Sequence, residues 1–380
     1  MTSPLRVGFL TKWDPADPRS WSGTMFSMFR ALGQSGLEVK PLGPMKAMSR
    51  GGLRVIDSAI RKLSGHSYDY RHSFAVSTEY GIRFARRLAE LDVIFAPVAS
   101  CEIGMLETSL PVVYMTDMLM ADCLNYHPKY REIFGFSQRE AERIERRAMA
   151  KAAAFLCPSN WTAQTAIRSY GMPADRVHMI PFGANLPQVP PRAQVTAHRD
   201  EDMCRLLLLG VNWASKGGAV ALAVLQHLLD AGLNAELTVC GCVPPAGVSH
   251  PRLRVIPFLS KRDPAQTEQL VSLLCASSFL LLPTQAEAFG IVFCEASACG
   301  VPSIARNTGG VGGAVRDGVN GYKVPETAGP EAYARIILDL FRDRARYQAL
   351  RVSSRDLYES RLNWDAWGRD TQAVIAGVAR

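Results

Sequence analysis

No apolar run in this 380-residue chain reaches the roughly 18 residues that a membrane-spanning helix needs. The nearest candidate, Leu270–Leu282, is too short and is interrupted by Ser272, Ser277 and Ser278. No C-x-x-C pair is present and no Cys/His cluster has zinc spacing, so a structural zinc is not expected. The nine cysteines lie mostly inside apolar stretches, which reads as a reducing compartment. The first strand-like run is not followed by G-x-G-x-x-G, which excludes a nicotinamide-dependent dehydrogenase. The opening residues Met1-Thr2-Ser3-Pro4 lack the basic and cleavage regions of a signal peptide, so the expected location is cytoplasmic. Short repeats and low-complexity segments are also missing.

What is there is globular: 48% apolar and 21% charged residues, enough to fill a core in each of two domains of ordinary size. The net charge of +8 sits mainly in the first 187 residues. Such a balance suits a solvated surface, nucleic acid, an anionic membrane or a phosphorylated substrate.

Short β-branched runs alternate with helical periods along the first half. Strands are expected over Leu5–Thr11, Leu37–Pro41, Asp92–Pro97, Pro111–Met115, Ala153–Cys157 and Val177–Pro181. Helices are expected over Thr24–Leu32, Ser77–Leu91, Ser137–Lys151 and Ser159–Tyr170. Residues 186–203 lose periodicity and carry three prolines, the signature of a linker. The alternation then restarts, with strands at Cys204–Leu209, Ala235–Cys240, Leu253–Phe258, Phe279–Pro283 and Pro302–Ala305. Continuous apolar strands alternating with helices mean parallel sheets covered on both faces. The fold class is therefore α/β, two doubly wound Rossmann-like domains, with ligands expected at the carboxyl ends of the strands in a cleft between them.

The most informative segment is Pro283–Pro302, P-T-Q-A-E-A-F-G-I-V-F-C-E-A-S-A-C-G-V-P. A buried strand ends in a loop holding Glu287, and Gly290 opens a helix carrying Glu295. The amides of Phe289, Gly290, Ile291 and Val292 then lie at a helix N-terminus, suited to a diphosphate. Glu295, little more than one turn into the helix, can accept paired hydrogen bonds from a ribose diol. Lys216 follows a strand and a short loop at the start of another helix, where its ammonium and the helix dipole both favour an anion.

Glu287-x7-Glu295, with A-F-G between and A-C-G-V-P after, resembles the E-x7-E signature of retaining glycosyltransferases of family 4, the large bacterial GT-B group. The resemblance extends to Leu208-Leu209-Gly210 with Lys216-Gly217, to Thr308-Gly309-Gly310, to Asp317-Gly318-x-Asn320-Gly321, to Cys157-Pro158-Ser159 and to Pro181-Phe182-Gly183-Ala184-Asn185. It implies a GT-B fold, with residues 1–187 binding the acceptor, 188–360 binding the nucleotide-sugar, and a helix within 361–380 crossing back to the first domain. It implies retaining transfer of a hexosyl group from a UDP- or GDP-linked sugar to a glycan or lipid-linked acceptor, in polysaccharide or glycolipid synthesis. The nucleotide-sugar is a co-substrate, with no cofactor, no metal and no nucleic-acid partner. Lys216 would hold the donor diphosphate, Glu287 the sugar hydroxyls and Glu295 the ribose, with Asn212 beside them.

The chain also departs from the family pattern. Val211 stands where an arginine often follows the glycine, so that charge is either missing or supplied elsewhere, with Arg306 and Arg262 as the candidates. Trp213 next to it either shapes the donor pocket or packs. Gly23, with Thr24, stands in the family's glycine loop, but only one glycine is present. Asp117 follows a strand where many members carry a histidine that touches the donor sugar; Thr116 is the other residue that could take this place, and a helix cap is the structural alternative for Asp117. Gly313 replaces a common glutamate. Asp200-Glu201-Asp202 resembles the D-x-D metal motif of the other glycosyltransferase fold, but in a linker it reads as a solvated charge run.

Residues 44–72 carry six basic and two acidic side chains, with Leu53, Ile56, Ile60 and Leu63 at helical spacing beside Arg54, Arg61 and Lys62. This reads either as a helix meeting an anionic membrane, which would place the protein peripherally on the inner face of the cell membrane, or as a helix packed on the sheet with its basic edge in water.

Overall fold

A computed structural model describes residues 4–126, 130, 132–199 and 202–379. The chain divides into two units, one running to Pro181 and resuming at Trp364, the other spanning Phe182–Asn363.

In the first unit β1 (Arg6–Phe9), β2 (Glu38–Pro41), β3 (Val93–Pro97), β4 (Val112–Met115), β5 (Ala152–Cys157) and β6 (Val177–Met179) form one sheet in the order β2-β1-β3-β4-β5-β6. Every neighbouring pair is parallel. The central strands β3 and β4 are buried at every residue, because helices cover both faces. The helices of this unit before its last are α1 (Thr24–Gln34), α2 (Arg50–Ser64), α3 (Phe74–Ala85), α4 (Ser100–Gly104), α5 (Met120–Tyr126), α6 (Gly135–Lys151) and α7 (Asn160–Tyr170). Their starts follow from local chemistry: the hydroxyl of Ser73 accepts from the Val76 amide, and that of Ser159 accepts from the Thr162 amide.

The helix at 50–64 is not packed on the sheet. None of its residues is buried, and only Leu53 packs against the core. Met48, Val55, Ile56 and Leu63 are exposed at 80, 69, 48 and 89%. The helix is tied down at its start, where the Glu79 carboxylate accepts from the amides of Met48 and Ser49 and from the Ser49 hydroxyl.

The second unit adds α8 (Arg192–Thr196), β7 (Cys204–Leu209), α9 (Gly218–Asp230), β8 (Ala235–Cys240), β9 (Leu253–Ile256), α10 (Pro264–Ala276), β10 (Phe279–Leu282), α11 (Ile291–Ala298), β11 (Ser303–Arg306), α12 (Val311–Ala314), β12 (Gly321–Val324), α13 (Pro330–Arg342) and α14 (Arg344–Ser360). Its sheet runs β12-β11-β10-β7-β8-β9, again all parallel. The strand β12, which the sequence reading lacks, pairs with β11 along its whole length.

Within the expected linker, residues 186–199 are docked on the second unit. Arg355 donates to the Pro190 carbonyl, while Arg351 donates to those of Val195 and Ala197. Two guanidiniums thus dock a proline-rich segment that has no periodicity of its own, and residues 182–187 fold with the second unit. A last helix, α15 (Trp364–Val378), belongs to the first unit. Trp367 meets the Phe95 ring edge-on at 5.9 Å, and Gly368 allows close approach to the Ala31 carbonyl of α1.

Candidate functional site

In the second sheet the strand order reverses between β7 and β10, the point at which an open parallel sheet takes its ligands, beyond the carboxyl ends of the strands. The loops after both strands carry the chemistry singled out by sequence. The β7 loop is a turn in which Asn212 Oδ1 accepts from the Ser215 amide and the Asn212 carbonyl accepts from the Lys216 amide. Asn212 therefore shapes the loop that aims Lys216. Gly217 has φ +74°, and a Cβ there would lie 2.1 Å from the Pro283 carbonyl oxygen, so only glycine lets the two loops approach this closely. The Gln285 amide and the Thr284 hydroxyl both donate to the Ser215 carbonyl, and the Gly310 amide donates to the Glu287 carbonyl. Three loops are thereby fixed around one point.

At that point Lys216 Nζ lies 2.5 Å from Glu287 Oε2, with the two side chains 23 and 16% exposed. Gly290, with φ +88°, turns the chain into α11. The Ile291 and Val292 amides open that helix and are not spent inside it. The Phe289 side chain does not serve the site: it is buried edge-on against Phe182 at 5.0 Å, so only its backbone can contribute. Glu295 is buried, 3% exposed. Its Oε1 lies 2.5 Å from Lys261 Nζ, which also donates to the Asn185 carbonyl at 3.2 Å. Lys261 is the residue that sequence reasoning missed; nothing in its local pattern marks it.

Two families of sequence models match this chain: residues 24–187 fit Glycosyltransferase Family 4, and residues 258–356 fit Glycosyl transferases group 1. Between them they account for more than half of it. The chain belongs to these glycosyltransferases. A D-inositol 3-phosphate glycosyltransferase of Xylanimonas cellulosilytica is 29% identical over 238 residues, covering 58% of this chain and 56% of the relative. The namesake of Streptomyces scabiei is 30% identical over 229 residues, covering 56 and 51%. This chain thus spans about half the length of the curated relatives it matches. Among solved structures, sucrose-phosphate synthase of Thermosynechococcus elongatus superposes with TM-score 0.68 at 17% identity, covering 99% of both chains. WaaG, a glycosyltransferase involved in lipopolysaccharide biosynthesis, gives 0.60 at 16%, covering 98 and 100%. Anabaena HepE in complex with UDP gives 0.64 at 15%, covering 99 and 100%. The fold is GT-B.

The remaining sequence candidates fall as follows. Trp213 is 8% exposed and lies over Gly218, a packing role. Arg306 Nη2 donates to the carbonyl of Glu326, just beyond β12, and Arg262 lines a groove of about 650 Å³ with Pro187–Pro191. In the first unit Gly23 caps α1 with φ +87°, whereas Thr24 is 2% exposed and its side chain is interior. Asp117 is half-buried at the end of β4, its carbonyl accepting from Thr162 Oγ1. Thr116 is buried and bonded to Met118, while the amide of Leu119, ahead of α5, bonds to Asp122. Among the described residues no three His, Cys, Asp or Glu side chains cluster as a metal site; Asp200 and Glu201 lie outside the described residues.

Proposed function

We propose that this chain moves a hexosyl group from a UDP- or GDP-linked sugar to a hydroxyl of a glycan or lipid-linked acceptor, with retention and without a metal. The observation that carries the reading is the Lys216–Glu287 pair at the strand-order reversal, beside the N-terminus of α11. An ammonium and unspent amides at one point suit a diphosphate, and Glu295, one turn on, suits the ribose. A diphosphate drawing Lys216 toward itself releases Glu287 to accept from sugar hydroxyls.

The chemistry is electrostatic. The bond from the anomeric carbon to the diphosphate breaks, the acceptor oxygen bonds to that carbon on the same face, and the leaving phosphate oxygen takes the acceptor proton. Lys216 and the α11 amides stabilise charge that grows on the leaving group, so they act most strongly in the transition state. Gly23, Thr24 and Asp117 belong to the first unit, the acceptor-binding half in this reading, where Asp117 orients the acceptor hydroxyl. The exposed apolar and basic side chains of α2 support a peripheral position on an anionic membrane.

Incubating the purified chain with UDP- and GDP-sugars should release nucleotide slowly from one donor; absence of both hydrolysis and nucleotide binding across the set overturns the reading. Cosedimentation with vesicles tests α2. Binding should need anionic lipid and low salt, and should be lost when Arg54, Arg61 and Lys62 become Glu. Equal binding by that variant would remove the membrane role.

A further inference from the structure

Of the nine cysteines eight are buried, and Cys275 alone is half-buried. It stands in the last turn of α10 and lines the same groove of about 650 Å³ as Arg262 and Pro187–Pro191. A small oxidant entering that groove meets this sulfur first. Cys299 lies behind it. It ends α11, four positions after Glu295, and is fully buried. The two side chains share a hydrogen bond in which the Cys299 thiol donates to the Cys275 sulfur.

Three guanidiniums gather around the pair. Arg199 donates to the carbonyls of Cys275 and Ser277. Arg355 Nη1 donates to the carbonyl of Ala298 at 2.6 Å and to that of Pro190 at 2.9 Å, while its Nε is engaged by Glu359. Arg351, which holds Val195 and Ala197, is the third. Both sulfurs sit at helix C-termini, where the dipole opposes a thiolate. Here the bond from Cys299 and the charges of Arg199, Arg355 and Arg351 outweigh burial and hold the Cys275 thiol below its ordinary value. Cys299 shifts the other way, pushed well above the ordinary value by that same bond and by burial. One sulfur is an accessible nucleophile, and the other is a protonated thiol in contact with it. A cysteine that only fills the core needs neither the groove, nor the second thiol, nor the cations.

We propose that Cys275 and Cys299 form an oxidation site, closed to a disulfide by hydroperoxides and reopened by a dithiol through exchange. The Cys275 thiolate attacks one peroxide oxygen. The O–O bond breaks, an S–O bond forms, and an alcohol (water, from hydrogen peroxide) leaves with the proton that Cys275 gave up. The Cys299 sulfur then attacks that of Cys275, the S–O bond breaks, and water leaves with the Cys299 proton. Two thiols are oxidised to one disulfide and one hydroperoxide is reduced. The new bond draws together the ends of α10 and α11. The Cys299 amide donates to the Glu295 carbonyl at 3.3 Å, so the pull reaches the turn that carries Glu295 and weakens nucleotide binding. That coupling, unlike the thiol chemistry, rests on Glu295 as the ribose ligand.

Peptide mapping of the full chain by mass spectrometry after graded hydrogen peroxide tests the site. A Cys275–Cys299 linkage should form before any other cysteine is modified, and dithiothreitol should reverse it. This measurement on wild type depends on no variant folding. Cys299→Ser should instead trap a sulfenic acid on Cys275, read as its dimedone adduct, and Cys275→Ser should consume peroxide at least about tenfold more slowly. Calorimetry should show UDP or GDP bound at least about threefold more weakly by oxidised wild type, with recovery in dithiothreitol and no such loss in peroxide-treated Cys275→Ser. Earlier oxidation of another cysteine, or a Cys275 oxyacid that persists in wild type without a disulfide, overturns the pair. A mapped disulfide with unchanged nucleotide affinity overturns the coupling alone. If the reduced chain binds neither nucleotide while the disulfide still forms, the donor reading has failed and the thiol pair stands.

Discussion

Cutting the Lys261–Glu295 pair from its two sides should give unequal results. The Glu295 side chain is 4% exposed and that of Lys261 is 37%. In Glu295→Ala the stranded ammonium can turn to water, at a cost of about 1 kcal/mol, which is roughly 2–4 °C in Tm for a unit of this size. In Lys261→Ala a carboxylate is stranded in the interior. Breaking a fully buried pair costs about 3–5 kcal/mol, and the exposure of Lys261 places this case near 3, or roughly 6–12 °C. Nucleotide affinity should follow the opposite order. Glu295→Ala loses the acceptor for two ribose hydroxyls, about 1.5–3 kcal/mol, or roughly 10- to 150-fold in Kd. Lys261→Ala keeps that acceptor and removes its competitor, so Kd should be no weaker than wild type. Ribose hydroxyls should then replace the missing ammonium, and added nucleotide should raise Tm by more than in wild type. Calorimetry with UDP and GDP, with thermal melts in parallel, reads both orders. Wild-type affinity in Glu295→Ala would refute the ribose role, and loss of nucleotide binding in folded Lys261→Ala would make Lys261 itself the ligand.

Glu287→Gln and Lys216→Ala should lower turnover by about 10²–10³, with a smaller change in nucleotide Kd, because their contacts strengthen as the leaving group departs; wild-type turnover in either variant removes that role. Turnover should persist in EDTA, and abolition with rescue by manganese would return attention to Asp200-Glu201-Asp202. At Glu79 burial raises the carboxyl, but the Ser49 and Met48 amides, the Ser49 hydroxyl and Arg83 outweigh it and hold it at about 2. A depressed carboxyl stabilises the folded state above its unfolded value near 4.5, and that stability is lost as pH falls toward 2. Proteolysis within α2 should therefore rise between pH 5 and 3, and Glu79→Gln should show the same sensitivity at pH 6.

The sequence alone determined what depends on near neighbours. Asp-Val-Ile-Phe-Ala-Pro and Phe-Leu-Leu-Leu are continuous apolar runs, which reads directly as parallel strands buried on both faces. Ser159 and Asp263 place helix starts because their side chains bond amides two or three residues on. Glu287, Gly290 and Glu295 lie within nine residues, so their spacing and the turn into α11 were legible.

The tertiary structure decided which distant segments meet. Buried apolar strands look alike, so no local pattern reveals that β7 lies beside β10, or β1 beside β3, and hence where each sheet reverses its order. That adjacency brings Lys216 to Glu287 across 71 positions and Lys12 to Glu102. It likewise sets Lys261 against Glu295, 34 positions on. The segment 186–203 reads as a linker because the bonds that dock Pro190, Val195 and Ala197 come from Arg351 and Arg355, more than 150 residues away. The helical spacing within 44–72 gave an amphipathic pattern but not its surroundings; only the packing of the unit left the apolar side chains of α2 in water. Periodicity, caps and turns are set by contacts within a few residues. Charge pairing across a sheet is set by strand order, which the free energy of the whole unit chooses.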